Sequence, residues 1–380
     1  MKALLVDPSL LIEPYDTALT GGLRAAGVDA RWATRPLRPD DEGGIPADAM
    51  IPQFYRMTDG HNRARYPAQA AKLMKGIEHA VGLHRLNHLA RRLDADIVHF
   101  QFLMLPWLDA RAITRLKRER PVVLTVHDTT PYNGANVSKL QVGGLERAFS
   151  VPDHLIVHTQ NARVALEDMG IAPDRISVIP HGPLPFRSEP QPAADKSGRW
   201  RIVLFGRLQS YKGLDVLIEA LGMMSAADRD RIEVIVAGVP HMALEPILAR
   251  AAELGLEPPM LQFRLHRLSD QEMTDLLHSA DTLVFPYRAI EASGVLYLTA
   301  YLGKWMVASA LGSFRELLEN APDRGALVPP GDPAALAQAL KASIGRRIAP
   351  GTSDWLPTWE QIGTRTAALY TDLLKKRGKA

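Results

Sequence analysis

The sequence predicts an α/β protein of two Rossmann-like domains, each a parallel sheet with helices on both faces, meeting across a cleft. Three observations carry this expectation. The 380 residues exceed one ordinary core and suit two domains. Short runs of Val, Ile and Leu alternate with helical periods along the whole chain, the pattern of strands buried on both faces. A stretch with four prolines and many polar residues, 183–199, divides that alternation in two and reads as a linker.

In order, KALLVDP (2–8) is a buried strand, and a helix near Tyr15–Ala26 ends at Gly27. ADIVHFQ (95–101), PVVLTVHD (121–128), HLIVHT (154–159) and ISVIPHG (176–182) are the next strands. After the linker come strands WRIVLFGR (200–207), IEVIVAG (232–238), LQFRLHR (261–267), DTLVFPY (281–287) and WMVAS (305–309). Helices at 214–224, 244–255, 269–280 and 293–304 separate them, and another covers about 333–345. Ser269 with Glu272 three residues later forms a capping box. The expected domains are 1–188 and 200–352, with a final helix at 355–378 returning to the first.

Composition excludes several chemistries. There is no cysteine, so disulfides, zinc–thiolate sites and a cysteine nucleophile are ruled out. The first apolar run stops at Asp7 and lacks a cleavage site, so it reads as a strand rather than a signal peptide. No apolar run is long enough to span a membrane. The net charge is only +3, yet residues 61–92 hold seven Lys and Arg (Arg63, Arg65, Lys72, Lys75, Arg85, Arg91, Arg92) against Glu78 alone. The same stretch carries Leu73, Ile77 and Val81. It is either a solvated helix face or a basic amphipathic surface for an anionic membrane. No nucleic-acid-binding module accompanies it, and nucleic acid is not expected as a partner.

Ligands of open parallel sheets bind beyond the carboxyl ends of the strands, and candidate residues follow strands here. In FGRLQSYKG (205–213), Gly206 ends a strand and Arg207 and Lys212 precede a helix start; two cations beside a helix N-terminus suit a diphosphate. In YRAIEASGVLYLTAYLGK (287–304), Glu291 follows a strand, and Ser293, Gly294 and Val295 open a helix with free amides. The alternative is that Ser293 merely caps and Glu291 merely compensates the helix dipole. In LTVHD (124–128), His127 stands at a strand end beside Asp128. His99 and His158 occupy similar strand ends without flanking chemistry, and His181 shapes a turn before the linker. DAD (94–96) and DRD (228–230) precede strands, at the wrong end of the sheet for a metal, so no metal site is expected.

VLFGRLQSYKGLDVLIEAL, then SADTLVFPYRAIEASGV, then LGSFRELLE, with IPHG before the linker and VHFQ and TVHD in the first half, resemble the retaining GT-B glycosyltransferases of family 4. The likeness is scattered over nearly the whole chain. It implies that Arg207 and Lys212 hold the donor diphosphate, that His127 contacts the transferred sugar, and that Glu291 sits by its hydroxyls. It also implies that the amides of Ser293, Gly294 and Val295 complete the anion site beside Gly206, and that Phe205 or Tyr287 lines the base or sugar pocket. The second Glu of the family's Glu-x7-Glu falls on Thr299, which offers the ribose no charge-assisted bond. The family's glycine-rich first loop is replaced by SLLIEPY (9–15), and Gly21 and Gly22 lie inside the first helix pattern.

The resemblance implies transfer of a hexose-type sugar from a nucleotide-diphosphate donor to a glycan or polyprenyl-linked acceptor in polysaccharide or cell-envelope biosynthesis. Configuration is retained, with no cofactor, no metal and no covalent nucleophile. The expected location is cytoplasmic, peripheral at the inner face of the membrane through 61–92. Two competing functions share the Arg207 site: a sugar-nucleotide epimerase or hydrolase, and a binding protein weakened at Thr299. A dinucleotide-dependent dehydrogenase is disfavoured because no G-x-G-x-x-G follows a strand.

Overall fold

A computed structural model of the chain describes residues 1–39, 41, 43–62, 66–129, 144–191, 198–348 and 356–378. Arg63 and Arg65 of the basic stretch, and part of the linker, lie outside them. The main elements are, in chain order, β1 (Lys2–Val6), α1 (Glu13–Ala25), β2 (Asp29–Thr34), β3 (Met50–Pro52), α2 (Ala68–Arg92), β4 (Ile97–Phe100), α3 (Pro106–Leu116), β5 (Val122–Val126), β6 (His154–Val157), α4 (Gln160–Asp168) and β7 (Ile176–Val178). They continue as β8 (Trp200–Phe205), α5 (Leu214–Met223), β9 (Ile232–Ala237), α6 (Glu245–Glu253), β10 (Leu261–Arg264), α7 (Asp270–Ser279), β11 (Thr282–Phe285), α8 (Gly294–Tyr301), β12 (Trp305–Ser309), α9 (Gly312–Glu319), β13 (Gly325–Val328), α10 (Pro333–Ser343) and α11 (Trp359–Lys376). Residues 1–129, 144–182 and 357–378 belong to one compact unit; 183–191, 198–348 and Leu356 belong to another.

The first unit holds a seven-stranded parallel sheet in the order β3-β2-β1-β4-β5-β6-β7. One core layer joins Leu4, Val98, Leu124 and Leu155 from the strands to Leu86, Ile113 and Leu166 from the helices. Helix α11 packs on α1 through two glycines. A β-carbon on Gly22 would lie 2.1 Å from the Trp359 carbonyl oxygen, and one on Gly363 would lie 2.0 Å from that of Gly22. The glycines inside the first helix pattern therefore include one that lets two helix backbones touch.

The second unit holds a six-stranded parallel sheet in the order β10-β9-β8-β11-β12-β13. Successive side chains of β8 enter opposite layers: Ile202 and Leu204 join one, Val203 the other. The capping box of α7 forms as expected, with Ser269 Oγ accepting from the Glu272 amide at 3.3 Å.

Helix α2 departs from the pattern of a helix packed by all its apolar residues. Leu83, Leu86 and Leu89 are buried, whereas Leu73, Ile77 and Val81 are 70%, 57% and 41% exposed. These three recur every four residues and form one open stripe. Lys75, counted in the basic patch, is instead held 2.9 Å from the buried Asp59 and lies over the Tyr55 ring.

Candidate active site

In the second unit the strand order reverses between β8 and β11, which are neighbours in the sheet. Their carboxyl ends flank the crevice where such sheets bind ligands. Gly206 leaves β8 with φ +116°, a state side chains rarely adopt. A 3-10 turn, Ser210–Lys212, follows and leads into α5. At Gly213 a β-carbon would lie 1.9 Å from the Pro286 carbonyl oxygen, so only glycine lets this turn press against the loop behind β11. Arg288 ties the two loops together: its amide donates to Tyr211 O at 2.7 Å, and its guanidinium donates to both carboxylate oxygens of Asp215.

Lys212 is held at the centre of this clamp. It is 6% exposed. Its ammonium donates to the Phe205 carbonyl at 3.3 Å and stands 5.1 Å above the centre of the Tyr287 ring. A β-carbon on Gly206 would come within 2.5 Å of Nζ, so the missing side chain is the space the ammonium occupies. No carboxylate pairs with it among the described residues. Burial first, and the charge of Arg207 second, pull its pKa down to about 8. Arg207 itself is exposed. The two cations thus lie near enough to repel, at the mouth of the crevice.

Tyr287 is 1% exposed, enclosed by Phe285, Phe314 and Tyr211, with its hydroxyl beside the Ser293 side chain. It offers Lys212 a ring face rather than an open pocket wall; Phe205 is half-buried beneath the same loop. Ser293 holds the N-cap position of α8, but its side chain makes no capping bond. The amides of Gly294 and Val295 therefore leave the helix start without a side-chain acceptor. Glu291 is half-buried, and its carbonyl accepts from the Ser313 amide at 2.8 Å. Thr299 is buried one turn into α8 and donates its hydroxyl to Val295 O at 2.6 Å, so that donor is committed within the helix. Two buried hydroxyls that sequence spacing did not single out, Ser309 at the end of β12 and Ser313 in the first turn of α9, have no hydrogen-bond partner among the described residues.

In the first unit the order reverses between β1 and β4. The loop after β1 needs no glycine because Asp7 shapes it. Its carboxylate accepts from the amides of Ser9 (3.0 Å) and Leu11 (2.8 Å), and Leu10 takes φ +48° between them. Asp16 lies beside Asp7 without exposure, and burial, then the neighbouring charge, pushes its pKa well up. His127 follows β5, half-buried, its ring stacked on Phe102 at 4.6 Å and edge-on to Tyr15. His99, His158 and His181 are buried nearby, and burial lowers all four imidazoles, so they are neutral at pH 7. His181 lies against Tyr15 and Trp359. Exposed Asp94 and Asp96 bind Lys2 beside the amino ends of the strands, and Asp228 binds Lys341. No group of three His, Asp or Glu among the described residues is arranged to hold a metal.

Residues 15–182 match the family described as Glycosyltransferase Family 4, and residues 199–345 match Glycosyl transferases group 1. The D-inositol 3-phosphate glycosyltransferase of Geodermatophilus obscurus is 28% identical over 346 residues, covering 82% of this chain and 73% of its own. The phosphatidyl-myo-inositol mannosyltransferase of Mycobacterium leprae is 29% identical over 344 residues, covering 88% and 86%. Among solved structures, HepE of Anabaena in complex with UDP and glucose has a TM-score of 0.64 at 18% identity, over 100% of this chain and 98% of that one.

The clamp makes a specific demand on Gly206. In Gly206→Ala the new methyl strains a positive φ and displaces the Lys212 ammonium, at a cost on the order of 1–2 kcal/mol for the backbone alone. Affinity for a nucleoside diphosphate, measured by calorimetry, is expected to fall at least tenfold; unchanged affinity would contradict the geometry.

Proposed function

The chain belongs to glycosyltransferase family 4, the group 1 glycosyl transferases of GT-B architecture, and on that premise we propose that it moves a hexose-type sugar from a nucleoside-diphosphate donor with retention of configuration and without metal assistance. The single observation that carries this is Lys212, a buried ammonium with no carboxylate partner among the described residues, set in the space left by Gly206 and over the ring of Tyr287. A buried cation without an anion is a site waiting for one. A diphosphate matches its charge, and Arg207 and the amides of Gly294 and Val295 supply further donors of the right sign.

Chemically, the hard part of transfer is the negative charge that grows on the leaving diphosphate. We assign to Lys212, Arg207 and the α8 dipole the stabilisation of that charge, the role a divalent cation plays elsewhere. In this reading the leaving phosphate oxygen takes the proton of the acceptor hydroxyl, so no side chain acts as nucleophile. Glu291 and His127 are assigned to the sugar. With Thr299 in place of a carboxylate, the ribose is gripped by neutral groups only, and a high donor KM is expected. The inositol-containing substrates named for the relatives favour a cell-envelope acceptor with a lipid or polyol component. Screening UDP, GDP, ADP and TDP sugars for a rise in melting temperature identifies the donor.

The exposed stripe of α2 supports a peripheral membrane position for such an acceptor. Leu73, Ile77 and Val81 stand open, with exposed Lys72 and Arg85 beside them. Apolar side chains flanked by cations suit an anionic interface. No helix among the described residues is long and apolar enough to cross a membrane.

Two outcomes are expected. Arg207→Ala and Lys212→Ala each lose most transfer, on the order of 2–4 kcal/mol in the barrier; near-native turnover in both variants would refute the assignment. Lys72→Glu with Arg85→Glu abolishes sedimentation with phosphatidylglycerol vesicles while leaving nucleotide binding intact. Undiminished sedimentation would remove the membrane from this account.

A further inference from the structure

His127 turns Nδ1 to His158 and Nε2 to the Gln101 side chain, and a file of buried groups decides which of the two nitrogens carries the proton. The file is anchored at Ile179, whose carbonyl lies 3.0 Å from His158 Nδ1. A carbonyl only accepts, so His158 Nδ1 carries the hydrogen. His158 is neutral because it is buried, its pKa lowered to about 4, and its Nε2 is therefore a bare lone pair. That lone pair stands 3.1 Å from His127 Nδ1, which must donate to it. His127 is also neutral, held so chiefly by burial, so its Nε2 is left without a hydrogen.

The other side of the file agrees with this direction. The Gln101 side-chain amide lies 3.3 Å from His127 Nε2 and 3.4 Å from His99 Nε2. Its oxygen faces His127; two acceptors cannot bond, and the half-turn of the amide, which has the same shape, places the NH2 there instead. The amide oxygen then accepts from His99 Nε2–H, which Thr125 Oγ1 also accepts at 2.7 Å. His99 Nδ1 is left to accept from the hydroxyl of Tyr370 on α11 at 2.6 Å. Tyr370 is fully buried and keeps its proton. Every group donates the same way, from Tyr370 through His99, Gln101, His127 and His158 to Ile179.

We propose that His158, anchored on the Ile179 carbonyl, is a positioning residue for the transfer reaction: it keeps the hydrogen of His127 on Nδ1 and so presents Nε2 as an acceptor for a hydroxyl of the transferred sugar. This rests on the assignment of His127 to the sugar. It adds that the histidine receives a hydrogen bond and does not give one. A sugar hydroxyl takes the place of the Gln101 amide on Nε2, and the ring is held at fixed orientation by Phe102.

The test combines 15N NMR of the imidazoles with turnover of the nucleotide sugar that the melting screen selects. In the wild type at neutral pH, the resonances assigned through His127→Ala are expected to show Nδ1 protonated and Nε2 unprotonated. His158→Leu removes the acceptor and releases the tautomer, and kcat is expected to fall about tenfold or more with donor KM little changed. His158→Gln, whose side-chain oxygen can accept from Nδ1–H, is expected to recover the tautomer and most of the rate. A wild-type His127 protonated at Nε2, or a tautomer unaltered in His158→Leu, overturns the proposal. Full turnover by His127→Ala would instead overturn the sugar contact and, with it, the role of His158 in the reaction, whatever the tautomer.

Discussion

The second unit is organised around one electrostatic constraint: Lys212 is held charged inside the fold with no carboxylate to meet it among the described residues. A shift of its pKa from 10.5 to about 8 corresponds to roughly 3 kcal/mol against the charged form. The sign follows directly. Below about pH 8 both folded and unfolded chains carry the proton, and the fold bears the full cost of burying it. Between about pH 8 and 10.5 the folded chain has released a proton that the unfolded chain still holds, and the cost fades. A protein gains nothing in stability from such a residue near neutrality. Its presence fits the proposed role, in which a bound diphosphate supplies the charge that the fold withholds.

Close backbone approach makes the constraint possible. Gly206 leaves the volume that the ammonium fills, Gly213 lets the turn meet Pro286, and at Gly238 a β-carbon would lie 2.0 Å from the Gly206 carbonyl oxygen. Arg288 and Asp215 then hold the two loops in register. The first unit solves the equivalent switch point differently. Its loop is shaped by the Asp7 carboxylate, and its polar groups are neutral imidazoles and amides joined in a directed chain. One unit concentrates positive charge, and the other presents oriented but uncharged donors and acceptors. That division suits a reaction in which charge develops on the phosphate while the sugar is recognised through its hydroxyls.

Strands that are central and β-branched, such as IVLF at 202–205 and TLVF at 282–285, announce themselves by composition. Strands β2, β3 and β13 do not. Asp29–Thr34 mixes charged and small residues, Met50–Pro52 is three residues at a sheet edge, and Gly325–Val328 is half-buried beside one neighbour. The placement of Arg207, Lys212, Glu291 and Ser293 behind β8 and β11 was legible because each stands in a short segment that follows an evident strand. What sequence spacing could not reveal was depth. Nothing local distinguishes buried Lys212 from exposed Arg207, or the committed Lys75 from the open Lys72, because the Tyr287 ring under Lys212 and the Asp59 carboxylate that binds Lys75 come from other segments. The histidine file was invisible for the same reason: Tyr370 and His99 are 271 positions apart and meet only because α11 packs on the first unit. Leu73, Ile77 and Val81 have the spacing of a core stripe, and only the fold shows that they face outward.

The most direct test of the central claim is the titration of the Lys212 ammonium itself, followed by NMR of side-chain-labelled lysine in the free protein and with saturating UDP, GDP or ADP. The account predicts a midpoint near pH 8 in the free protein that moves up when the preferred diphosphate binds. A lysine titrating at its ordinary value and indifferent to all three ligands would contradict it.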